Sequence, residues 1–324
     1  PYLDRSLDPD RRASDLLGRM TLEEKVRQMS MVARFGDLLA NKRVSVAAMR
    51  RRYGKISPGC IDDPRLGPEA TAEAVNAVQR YLVEETRLGI PAIVTGECLH
   101  GHMSGGTTVF PQAIGLASTW DVDLISEMGS VIAQEARVCG VSQALAPDLD
   151  LARDPRWGRT DETFGEDPHL TAVMAAGFVD GMEGRDRAGR PLPQGGGHLK
   201  TATTLKHYAA NNSEVNRLDG SSDVDQRDLR EYYTAQFRDV VAAASPASIM
   251  SAYNRVNGEP AAASPFLMTT LARRTWGFDG YFVSDCDAVY QLQAGHRWQP
   301  PWADAPLDHV GRNAAALAAG EDLN

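Results

Sequence analysis

Two acids, Asp285 and Asp287, flank Cys286 directly after an apolar run in Gly280-Tyr-Phe-Val-Ser-Asp-Cys-Asp-Ala-Val289. A carboxylate carried by the end of a buried strand can serve as nucleophile or general acid/base, whereas one in an open loop more often caps backbone N–H groups. Lys206 and His207 adjoin each other after another apolar run, offering an ammonium and an imidazole. The stretch Arg153-Asp-Pro-Arg-Trp-Gly-Arg159, with Glu162 close behind, adds Trp157 as a flat apolar surface and Arg159 as a fixed fork of donors. That pair suits the positioning of a neutral polyhydroxylated ring, although Arg–Asp networks also staple long loops. Glu97 and Tyr253 likewise follow short apolar runs. A carboxylate ringed by Lys, His, Arg and Trp fits glycoside hydrolysis: one carboxylate attacks or stabilises an oxocarbenium-like centre while a second carboxyl protonates the leaving oxygen.

Other chemistries find less support. His100 and His102 in Leu-His-Gly-His have a spacing that occurs in metal sites, but no Cys or carboxylate pattern accompanies them, so no metal is expected. The Gly-rich segment 101–108 lacks the GxxxxGK[ST] form, and no GxSxG elbow is present. No cofactor is implied. A Schiff base at Lys206, as in aldolase-like barrels, needs a desolvated neutral amine, and nothing around Lys206 points to one. The net charge of -9 disfavours a nucleic-acid partner. No apolar run is long enough to cross a bilayer and no charged-then-apolar leader opens the chain, so a cytoplasmic and a secreted location both stay open. Cys60, Cys98, Cys139 and Cys286 are widely spaced and read as buried free thiols.

The elements that must position these residues alternate. Thr21-Leu-Glu-Glu24 is a capping box opening a helix with Leu22, Val26 and Met29 at helical spacing. Val75, Val78 and Leu82 predict a helix stopping at Gly89-Ile-Pro91, before the strand Ala92-Ile-Val-Thr95. Leu124, Met128, Val131 and Glu135 predict another, ended by Gly140 and followed by a strand from Ser142 to Leu149. Further strands are expected at Leu205–Tyr208, Ser248–Tyr253 and Tyr281–Ser284, with a helix through Leu229, Tyr233, Phe237 and Val240. The stretch from Glu183 to Lys200 is rich in Gly, Pro and Arg and reads as a surface loop. Helices alternating with short apolar strands indicate a parallel sheet. Because nearly every strand ends in Glu97, Asp148 and Asp150, Lys206-His207, Tyr253 or Asp285, a (β/α)8 TIM-type barrel with an irregular or incomplete first repeat is expected, its C-terminal strand ends converging on one site.

Taken in order, SLDPDRRASDLLGRMTLEEKVRQM, ECLHG, TTVFPQAIGLASTWD, LARDPRWGRTDETFGEDP, LKHYAANN, SAYNRVNG and GYFVSDCDAV resemble the N-terminal barrel of glycoside hydrolase family 3, the retaining exo-β-glycosidases. The resemblance runs almost end to end and implies one barrel domain over 1–324. By the same resemblance Asp285 is the nucleophile, and Glu97, Arg159, Lys206 and His207 hold the sugar hydroxyls with Tyr253 close by. Asp287 and Cys286 then shape the pocket.

Two departures stand out. Many glucosidases of the family carry Asp at the position of Glu97 and Trp at that of Cys286; Glu followed by Cys is more like the β-xylosidases, so terminal β-xylosyl residues are the expected substrate and β-glucosides the alternative. The family's acid/base Glu comes from a following α/β sandwich domain, and no counterpart is present in these residues. The His-containing KHFPGHG-type loop of the N-acetylglucosaminidase branch is not matched by Lys206-His-Tyr-Ala-Ala-Asn-Asn212 either. A partner domain supplying the proton is therefore implied, and a sugar-binding barrel without catalysis is the reading of another class.

Overall fold

The computed structural model describes residues 1–32, 35–40, 43–185 and 198–324. The capping box forms as expected: Thr21 Oγ1 accepts the Glu24 N–H at 3.2 Å, and Glu24 Oε2 accepts the Thr21 N–H at 2.9 Å. Helix α1 (Leu22–Gln28) follows, then β1 (Met31–Val32), a short 3-10 turn, a small antiparallel ribbon and a helix over Val46–Tyr53. From β2 (Cys60–Asp62) onward the alternation is regular. Helix α2 (Pro68–Glu85) leads to β3 (Ile93–Gly96), and α3 (Val122–Val138) to β4 (Gln143–Ala144). Then α4 (Pro168–Glu183) leads to β5 (Ala202–Tyr208), α5 (Ala235–Ala244) to β6 (Ser248–Ser251), and a wide helix over Phe266–Thr275 to β7 (Tyr281–Ser284). Helix α6 (His309–Ala319) comes last. No helix among the described residues is long and apolar enough to cross a membrane.

Among the described residues, β1 to β7 form one seven-stranded sheet in chain order, parallel throughout. Both edges of that sheet reach the chain's last two residues. Leu323 pairs with Val283 in β7, while Asn324 donates to Met29 O and accepts from the Met31 N–H. The start of the sheet is irregular, with a turn, a ribbon and a helix between β1 and β2, and Leu323–Val283 is an isolated bridge beside β7.

Side-chain alternation sorts the strands into two packed layers. Cys60, Leu145, Met250, Val283 and Leu323 make one small cluster with Ile93 and Tyr281 against it. Their neighbours Ile61, Val94, Ala144, Ile249 and Phe282 point the other way, into the larger core shared with Val75, Val78, Leu82, Ile125, Ile132, Phe178 and Phe237 of the helices. Helices α3 and α4 approach closely at Gly181, where an added Cβ would lie 2.0 Å from Ser126 O. At the N-terminal mouth, buried Glu183 ends α4 and accepts the N–H groups of Thr203 and Ala247 at 3.1 and 2.9 Å, tying together the starts of β5 and β6.

Three expectations change. The strand expected over 142–149 is regular only at Gln143–Ala144: Pro147 has no N–H to give the ladder, and pairing resumes as an isolated bridge between Asp148 and Lys206. The strand expected at Leu205–Tyr208 starts earlier, at Ala202, and carries Lys206 and His207 among its last three residues. Cys286 is exposed, unlike the other three thiols, because it sits in the loop after β7. The loop expected from Glu183 to Lys200 falls largely outside the described residues.

Candidate active site

The C-terminal strand ends converge as parallel topology requires. Asp285 follows β7, with its backbone N–H on Ser251 O of the neighbouring strand and its Oδ1 accepting the Cys286 N–H at 2.7 Å. The residue is 8% exposed, and its Oδ2 has no hydrogen-bond partner among the described residues. That oxygen lies 3.7 Å from His207 Nε2 and 3.6 Å from Arg217 Nη2. One carboxylate oxygen is thus anchored by backbone and the other aimed into the site between two nitrogens.

Lys206 crosses the site to Glu97, Nζ to Oε2 at 3.0 Å. Burial alone would lower the Lys206 ammonium, but Glu97 and Asp148 reverse this and raise it. A permanently charged Lys206 is a donor for hydroxyl groups and a poor Schiff-base amine. Arg159 spends two of its donors on Glu162, at 2.8 Å each, and lies 3.8 Å from Asp148 Oδ2. Its Nη1 is buried with no hydrogen-bond partner among the described residues, and like Asp285 Oδ2 it is a polar atom suited to a hydroxyl. Burial opposes the Arg159 charge, yet Glu162 and Asp148 raise it further.

Behind these groups lie Asp148 and Asp150, both buried. Burial pushes Asp148 up to about 8, with the charge of Asp150 adding to it, and pushes Asp150 up to about 7. Asp150 accepts from the His207 N–H, from Asn211 Nδ2 and at His207 Nδ1, while Asp148 Oδ2 accepts from no donor among the described residues. The more easily retained proton therefore belongs on Asp148. Burial lowers His207 to about 4, so its imidazole is neutral near pH 7.

Asp148, Asp150 and His207 are the described residues whose ligand atoms come close enough together for a metal, within 4.8 Å of one another. Arg159 and Lys206 already supply positive charge to this group, which opposes a divalent ion there. His100 and His102 do not meet: His100 Nδ1 lies 2.9 Å from Phe110 O, and His102 Nε2 lies 2.8 Å from Asp63 Oδ2.

The structure brings together Asp285, Glu97, Arg159, Lys206 and His207. Tyr253 also arrives, its hydroxyl donating to Cys286 O and its ring 4.7 Å from the Arg217 guanidinium. Trp157 differs from expectation. It is 7% exposed and donates Nε1 to Glu214 Oε1 at 3.2 Å, supporting the loop that carries Arg217 and presenting no open face to a sugar. Arg217 and Glu214 escaped the sequence reading. They pair at i,i+3, and only the folded loop after β5 brings Arg217 to Asp285. Glu162 shows the same i,i+3 signal with Arg159.

Residues 21–324 match the family described as "Glycosyl hydrolase family 3 N terminal domain", and the chain belongs to that family. It is 34% identical over 322 residues to β-D-xylosidase 3 of Arabidopsis thaliana, covering 97% of this chain and 35% of that protein. It is 38% identical over 206 residues to a β-glucosidase of Rhizobium radiobacter, covering 61% of this chain and 24% of that one. A solved β-glucosidase from Erythrobacter marinus superposes with a TM-score of 0.85 at 32% identity, covering 100% of this chain and 41% of its own. The chain therefore spans about a quarter to two fifths of the length of these relatives. The family's fold is a TIM-like barrel, and the curled parallel sheet here agrees with it.

Proposed function

We propose that residues 1–324 form the nucleophile-bearing barrel of a retaining exo-β-glycosidase, with Leu323–Asn324 as its eighth strand and terminal β-D-xylosyl residues as its preferred substrate. The observation that carries this reading is Asp285 Oδ2, buried, without a hydrogen-bond partner among the described residues and set among His207, Arg217 and the Lys206–Glu97 pair. Asp285 attacks the anomeric carbon, forming a C1–Oδ2 ester as the bond to the leaving oxygen breaks. An acid/base Glu from an α/β sandwich domain outside these residues protonates that oxygen, then activates the water that cleaves the ester. Double displacement places the two carboxyl groups about 5–5.5 Å apart in the complete enzyme. Glu97, Arg159, Lys206 and His207 hold the sugar hydroxyls, and Tyr253 borders the nucleophile.

The xylosyl preference rests on Glu97 and Cys286. The longer carboxylate of Glu97 reaches Lys206 across space that a hydroxymethyl group would otherwise use. Relatives named β-glucosidase support the β-glucosidase alternative equally. The test is trapping with dinitrophenyl 2-fluoro xyloside and glucoside, whose leaving groups need no protonation. An adduct on the Asp285 peptide, formed faster with the xyloside, is expected. No adduct on the folded chain rejects the nucleophile; faster trapping by the glucoside rejects the sugar preference.

A further inference from the structure

His207 lies between two neighbours that both bear on where its single proton sits. Nδ1 is 2.8 Å from Asp150 Oδ2, and Nε2 is 3.4 Å from Arg159 Nη2. A guanidinium has no acceptor to offer, so a nitrogen facing it is best matched as a lone pair; a carboxylate is best matched by an N–H. Asp150 is well suited to remain the acceptor, because the His207 backbone N–H and the Asn211 amide also donate to it, at 3.3 and 2.8 Å.

We propose that Asp150 is a positioning residue that selects the tautomer of His207, placing the proton on Nδ1 and a lone pair on Nε2. The direct consequence concerns what the site can recognise, and it rests on the glycosidase reading given above. Nε2 and Asp285 Oδ2, 3.7 Å apart, then form a pair of acceptors facing the sugar, while Arg159 and Lys206 face it as donors. A hydroxyl that meets His207 must give its hydrogen. A sugar methylated at that oxygen is rejected for lack of a donor as well as for size.

Replacing Asp150 by Asn should reverse the tautomer. The His207 backbone N–H cannot turn away and takes the amide oxygen, whereas the Asn211 side-chain amide, which faces the other oxygen, can turn over and accept; the amide NH2 then faces Nδ1, which must become the acceptor. Two-bond 15N–1H correlation on chain labelled with 15N-histidine reads this directly, with His207→Gln assigning the signals. The parent is expected to show the downfield, unprotonated resonance at Nε2, and Asp150→Asn to move it to Nδ1. A parent spectrum with the proton on Nε2 overturns the proposal, and so does an Asp150→Asn spectrum unchanged from the parent. Should Asp150→Asn fail to fold, the parent spectrum decides alone. Trapping of Asp285 on the parent reports on the glycosidase reading separately, so the two can fail independently.

Discussion

Glu97 and Lys206 stand 109 residues apart in the chain and 3.0 Å apart in the fold. The Lys206 side chain is 4% exposed and that of Glu97 is 31% exposed, so the buried member depends on the accessible one. Replacing Glu97 by Ala leaves the ammonium without its direct partner and is expected to lower stability by about 1–3 kcal/mol. Glu97→Asp, one methylene shorter, should lose less stability and admit the dinitrophenyl 2-fluoro glucoside more readily relative to the xyloside. Urea midpoints and the ratio of trapping rates check both statements.

Arg217 contacts the Asp285 carboxylate from outside the strands, with one face against Tyr253. Arg217→Met removes the guanidinium that orients the proposed attacking oxygen and should slow trapping at Asp285 by about tenfold, equivalent to about 1.4 kcal/mol. Arg217→Lys should restore part of that loss. Equal trapping rates in parent and Arg217→Met would show that Arg217 has no part in the step.

Glu24 pairs with Arg87, whose hydrogen bonds hold it down to about 2 against the effect of burial. The folded value lies below the unfolded one, so the stabilisation is present above about pH 4.5 and is lost as pH falls toward 2. Arg87→Met should therefore be less stable than the parent at pH 7, and the difference should shrink by pH 3. Urea midpoints at the two pH values give the comparison.

Glu321 has the opposite sign. It is buried against Ser251, which donates to Oε2, and burial raises it to about 8. The folded state holds a proton that the unfolded state gives up, so stability falls as pH rises from about 4.5 through 8. Glu321→Gln keeps an acceptor for Ser251 and carries no ionisable group. It should exceed the parent in thermal midpoint at pH 8 and gain less at pH 5.

Glu183 belongs to the barrel's other mouth and separates stability from chemistry. Its Oε1 accepts from Thr203 N, Thr203 Oγ1 and Ala247 N. Glu183→Ala strands buried backbone donors and should cost about 2–4 kcal/mol. Per folded molecule, the initial rate of trapping at Asp285 should change little, as denaturant curves and trapping on the same preparation will show.

Local chemistry wrote much of the scaffold legibly. The Thr21–Glu24 capping box, the apolar stripe Val75, Val78 and Leu82, and the buried runs at Ala92–Thr95 and Tyr281–Ser284 each depend on residues close in sequence, and each formed within a residue of its expected place. The family motifs, long and in order, picked out Asp285, Glu97, Arg159, Lys206, His207 and Tyr253, and the fold brings them together. What remained hidden depends on pairings across distant segments. Trp157 looks like a sugar platform in the sequence but is buried in the fold, its indole N–H donated to Glu214, 57 residues later. Arg217 reaches Asp285 only through the path of its loop, and Asp150 governs His207 only because β4 lies beside β5. Residue types and order determined which groups are present and which strand end carries them. Tertiary packing decided which buried donor faces which acceptor, since desolvation makes each such pairing depend on contacts that no local pattern encodes.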